Sequence, residues 1–141
     1  MESDGLKALH DAQPDYMILF RGSEWTLGCP PDEMEALMNN VMEWFEGLYR
    51  QNKVKLGHPL TDETSLVSHR EGQTVVDGPF AETKEAIGGF LILNVETREE
   101  AIEIAASGPW VPYGMKVEVR QIATACPLLA RVKQLAAAET A

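Results

Sequence analysis

Apolar side chains recur in two rhythms along this chain. Met34, Leu37, Met38, Val41, Phe45 and Leu48 recur mostly at intervals of three and four, the spacing of one helix face, and Trp44 and Tyr49 widen the stripe. Pro30 and Pro31 suit the entry of that helix, where the first N–H groups have no helical partner, and Asp32 and Glu33 lie where its dipole favours anions. Thr97-Arg98-Glu99-Glu100 is a capping box: Thr97 can accept from the Glu100 N–H while Glu100 reaches back. The helix it opens runs through "EAIEIAAS" and stops at Gly108-Pro109. Leu128, Leu129, Val132 and Leu135 mark a short C-terminal helix.

The other rhythm is that of strands. "DYMILFRG" from Asp15, "VKLGHPL" after Lys53, "GGFLILNVE" and "MKVEVRQI" read as strands, and "SLVSHREGQTVVD" alternates on both sides of Glu71-Gly72 as a hairpin. The order strand, helix, strands, strand, helix, strand predicts an α+β fold of the ferredoxin-like, split βαβ kind, with two helices on one face of an antiparallel sheet. Residues 1–14 read as a flexible leader, 15–123 as the folded domain and 124–141 as a short helix with a tail. The strands do not alternate as a half-solvated sheet would. Tyr16, Ile18 and Phe20 oppose Met17 and Leu19, and Phe90 and Ile92 oppose Leu91, Leu93 and Val95. Two helices cover one face, and each such side chain left wet forgoes about 1.5–3 kcal/mol of burial. A second copy packed sheet against sheet is the simplest cover; the C-terminal helix folding back is the alternative.

Composition narrows the function. With 141 residues the chain fits one domain, and 22 acidic against 12 basic residues leave a net charge of −10. Such a chain repels phosphate backbones and anionic membranes, which disfavours nucleic acid as a partner. No apolar run reaches membrane-spanning length, and the polar, acidic start lacks the features of a signal peptide, so the cytoplasm is the expected compartment. Cys29 and Cys126, each followed by proline, match no metal spacing and read as reduced thiols; Cys29 before a helix keeps a nucleophile's role open.

The stretch "VVDGPFAETKEAIGG", residues 75–89, puts polarity and backbone freedom between two strands. It reads either as a structural corner or as the mouth of a cleft. Asp77 cannot cap the residue two positions on, because Pro79 has no N–H; it caps Gly78 or Phe80, or serves as acceptor or base. His58, with an ordinary pKa close to working pH, is the best general-base candidate and Asp77 its candidate partner. Arg21 or Lys84 could engage an anionic ligand, with Phe80 and Trp44 as candidate ligand contacts in a methionine- and aromatic-lined pocket. Gly88 and Gly89 read as a bulge or a close backbone approach, since no phosphate-binding pattern accompanies them. Nothing calls for a metal or a cofactor.

The intact "DGPFAETKE" at residues 77–85, with "MILFRG", "WFEGL", "GHPL", "GGFLILNVET" and "YGMKVEVRQI", resembles the YCII-related or DGPF-domain family over roughly Asp15 to Ala123. The resemblance implies a subunit that dimerises through its sheets into a dimeric α+β barrel. It also implies a His–Asp pair in a cleft between sheet and helix, although the helix position for that histidine falls at Asn39 or Asn40. Relatives found beside certain sigma factors imply a regulatory or small-molecule setting. Two functions are therefore expected: a homodimer binding a small molecule, with acid–base chemistry by His58 and Asp77, or a non-catalytic module docking a regulatory protein.

Overall fold

The computed structural model of the chain describes Asp4 and residues 15–22, 28–79 and 87–139. The elements run β1 (Tyr16–Arg21), α1 (Met34–Arg50), β2 (Val54–Pro59), β3 (Leu66–Arg70), β4 (Gln73–Asp77), β5 (Ile87–Leu93), α2 (Arg98–Ala106), a 3-10 turn (Val111–Tyr113), β6 (Lys116–Gln121) and α3 (Pro127–Glu139). Four strands form an antiparallel sheet in the order β2-β5-β1-β6. Setting the β3–β4 hairpin aside, that is the ferredoxin-like order, and the expected α+β fold is present. The hairpin stands apart as a two-stranded ribbon, turning at Glu71 (φ 50°) and Gly72 (φ 78°). Left-handed backbone at both turn residues matches the twist of the strands it joins.

One face of the sheet is the core. Tyr16, Ile18, Phe20, Leu91 and Leu93 are buried against Leu37 and Val41 of α1, Ala101 and Ala105 of α2, and Trp110. Chain ends and beginnings are tied where α1, β5 and α2 meet. Asn52 ends α1 in a left-handed conformation (φ 56°), the Lys53 N–H donates to Leu48 O, and Asn94 Nδ2 donates to Asn52 O. Half of the capping box forms: the Glu100 N–H donates to Thr97 Oγ1 at 3.2 Å. The Glu100 carboxylate instead holds Lys53 Nζ at 2.6 Å, because a cation in reach outcompetes a neutral N–H.

The second face carries two cross-strand rows, Leu56–Ile92–Met17–Arg120 and His58–Phe90–Leu19–Glu118. Their apolar members are half-buried or exposed, and Arg21 Nη1 pairs with Glu118 Oε1 at 3.2 Å beside them. The C-terminal helix does not serve as their shield: α3 has no buried residue, and its Leu128, Val132 and Leu135 are 65%, 52% and 62% exposed.

The Asp77-Gly78-Pro79 turn is a structural corner. Gly78 has φ 148°, and a Cβ there would lie 2.7 Å from both Ser65 Cα and Thr64 O. Pro79 O accepts from the Thr64 N–H at 2.6 Å, so the exit of β4 is fastened to the segment that enters β3. Gly78→Ala meets backbone on one side and a disfavoured φ on the other. It is expected to cost about 1–3 kcal/mol, read as a lower urea midpoint with an unchanged slope; a midpoint equal to the parent's would remove the corner's importance.

Candidate functional site

Between α1 and the β2–β5 end of the sheet lies a cleft of about 870 Å³, within the usual range for small-molecule sites. Its existence follows from the residues that surround it. Met38, Val41, Phe45 and Tyr49 recur along α1 and form the roof. Gly57, Gly88 and Gly89 put bare backbone on the facing strands, so no side chain rises to fill the gap. Gly57 and Gly89 have no freedom to be larger. A Cβ on Gly57 would collide with the Leu91 side chain and lie 2.9 Å from Phe90 O, and one on Gly89 would lie 2.9 Å from His58 O. Gly88 marks a bulge, where the register slips between Phe20 and Arg21. The bulge and the close approach expected for this glycine pair are both present.

Trp110 and Phe20 form the inner wall. The two rings meet edge to face at 5.0 Å, and Trp110 also packs on Trp44 at 5.3 Å and Phe45 at 5.9 Å. Trp110 is buried, and its Nε1 has no hydrogen-bond acceptor among the described residues. Among the described residues, the acidic or basic side chains at the cleft are Glu46, Asp62 and His58.

His58 is therefore at the cleft. Its register opposite Phe90 sets the imidazole on the sheet face away from α1, with ring centroids 6.0 Å apart. Because β2 is an edge strand, the cleft can open round that edge to reach it. Asp77 is not brought to His58. It pairs with Leu66 at the end of the β3–β4 ribbon, exposed, and no hydrogen bond or ion pair joins it to His58. Arg21 is engaged with Glu118 and does not line the cleft. Trp44 stands behind the inner wall: its Nε1 donates to Ser107 Oγ at 2.8 Å and clamps α1 to the end of α2. Phe80 and Lys84 lie outside the described residues.

Sequence reading missed Glu46, Asp62, Tyr49 and Trp110. Asp62 was within sight, four residues after His58 in "GHPLTD". Trp110 follows the Gly108-Pro109 stop of α2, a position that periodicity leaves unassigned.

Residues 15–125 match the YCII-related domain. The chain belongs to that family. A 46-residue segment is also 41% identical to an uncharacterized protein of Rhizobium meliloti (strain 1021), covering 32% of this chain and 37% of that one. The match thus spans little more than a third of the relative's length. In this YCII-related chain Asn39 and Asn40, where the resemblance would set a histidine, are exposed on α1 and outside the cleft wall.

The family's fold here also disposes of the thiol candidate. Cys29 is buried, and desolvation, reinforced by the charges of Glu33 and Asp32, pushes its pKa above the ordinary 9.0. A thiol so placed keeps its proton, so the helix start does not activate it. Tyr113, whose hydroxyl donates to Glu33 Oε2 at 3.4 Å, is raised likewise by desolvation and then by Glu33. At pH 8 the native protein should show one rapidly alkylated thiol, Cys126, and a second only on unfolding. Because the folded form holds a proton that the unfolded chain releases above pH 9.0, stability should fall as pH rises past that value. Cys29→Ala should make the alkaline decline shallower; an unchanged slope, or a fast-reacting Cys29 in the native protein, contradicts the assignment.

Proposed function

We propose that this YCII-related protein is a homodimer that binds a small, largely apolar molecule in the cleft under α1. The cleft carries the reading. Its volume suits a ligand of one or two rings, and its roof, wall and glycine floor are apolar or bare backbone. Methionine in the roof adapts to ligand shape at little cost. The reading is of binding. Acid–base chemistry by His58 with Asp77 would need contact between them, and the carboxylates that share the cleft with His58 are Glu46 and Asp62.

The dimer is supported by the second face of the sheet. Met17, Leu19, Phe90 and Ile92 are half-buried and Leu56 is 47% exposed. A matching face from another copy would bury all five at about 1.5–3 kcal/mol for each side chain fully covered. The Arg21–Glu118 pair gives that surface a fixed polar border.

Both parts have direct tests. Calorimetric titration with naphthylmethanol, a neutral two-ring probe, should show one site per chain. Met38→Trp, which fills the roof from a 44% exposed position, should abolish it; a parent protein that takes up no such probe ends the binding reading. In sedimentation at micromolar concentration the protein should run as a dimer and Ile92→Glu as a folded monomer. A parent that sediments as single chains would remove the dimer and leave the cleft.

A further inference from the structure

Among the described residues, two carboxylates and one histidine, His58, line the cleft. Glu46 and Asp62 are its carboxylates, and no lysine or arginine lines it among the described residues. Asp62 is exposed and has no ion-pair partner among them. Glu46 reaches Arg50 only at 4.0 Å, with the two side chains 64% and 77% exposed, so that pair is loose. The walls add to this field. Phe20, Phe45, Tyr49 and Trp110 line the space with aromatic side chains, and aromatic faces attract cations. The chain's net charge of −10 draws cations towards the surface and repels anions before either arrives.

Resting on the small-molecule reading above, we propose that the ligand is a cationic amphiphile: an aromatic or aliphatic body carrying an amine protonated at neutral pH. The body lies on the glycine floor beneath Met38 and Phe45. The ammonium faces the mouth, where Asp62 and Glu46 are its counter-charges. Arg21, which would have recruited an anionic ligand, is paired with Glu118 on the other face of the sheet.

Three probes of one shape separate the possibilities: naphthylmethylamine, naphthylmethanol and naphthoic acid, titrated by calorimetry at neutral pH into the full-length protein. The amine should bind at least about tenfold more tightly than the acid, with the alcohol between them, since two carboxylates near a charge at a surface contribute on that scale. Asp62→Asn should cut the preference for amine over acid by about fivefold, and Glu46→Gln should act in the same direction. High salt should compress the preference, as it does for any exposed charge pair. If the alcohol binds and the amine is no tighter than the acid, the cationic-ligand proposal falls alone. If none of the three binds, the small-molecule reading falls with it. A preference that survives Asp62→Asn combined with Glu46→Gln also overturns the proposal.

Discussion

The packing of Trp110 against three other aromatic rings is the contact on which the sheet, both core helices and the cleft all depend. Phe20 comes from β1, Trp44 and Phe45 from α1, and Trp110 itself from the turn that follows α2. Edge-to-face and tilted contacts of this kind contribute about 0.5–1.5 kcal/mol each beyond the area they bury. Three elements distant in sequence are thereby fixed at one point, and the hydrogen bond from Trp44 to Ser107 repeats the tie a turn away. The fold accepts a cost here. Among the described residues the buried Trp110 N–H meets no acceptor, which forfeits about 1–3 kcal/mol. The indole is held in place by its rings and not by its polar atom.

That arrangement explains why the cavity occurs at one end of the sheet and not the other. Towards Leu93, side chains of alternating residues fill the space under the helices, and Leu93 and Ile18 are fully buried. Towards Gly89 the strands change character. Gly57, Gly88 and Gly89 remove three side chains from the floor just where Trp110 props α1 from below. An ordinary α+β core closes at this point; this one leaves about 870 Å³. The tight approaches at Gly57 and Gly89 show that β2 and β5 leave no room for a Cβ at either position, so these two places in the floor stay bare.

Much of the fold was legible because it is written in local rules. The stripe on α1, the Glu71-Gly72 hairpin and the Thr97 cap each depend on residues close in sequence, and each formed. What local rules do not contain is which partner wins. Glu100 had two possible partners, and Lys53, distant in sequence, took its carboxylate. Trp44 reads on a helical wheel as part of the same stripe as Met38, yet one faces α2 and the other the cleft. For the site, "GHPL" supplied His58, which borders the cleft, while "DGPF" drew attention to a carboxylate at the end of the β3–β4 ribbon that makes no hydrogen bond or ion pair with His58. A turn motif declares that the chain bends. It does not declare what the bend is fastened to, and here that is Thr64 and Ser65.

The two halves of the proposed function meet at the edge strand. His58 and Phe90 belong to a row on the uncovered face of the sheet, yet both also border the cleft on the opposite side. For His58 an outer strand allows this, because among the described strands β2 is at the edge of the sheet. A second copy laid over Leu19, Phe90 and Ile92 would come to rest beside His58, and so beside the mouth of the cavity. Ligand and partner would then compete for, or share, the same rim. A ligand that contacts the partner favours the dimer by its own binding energy, and by linkage the dimer favours the ligand by the same factor. A ligand that stays under α1 leaves association unchanged. The reach of the bound molecule past His58, not its affinity, decides whether binding and assembly are one event.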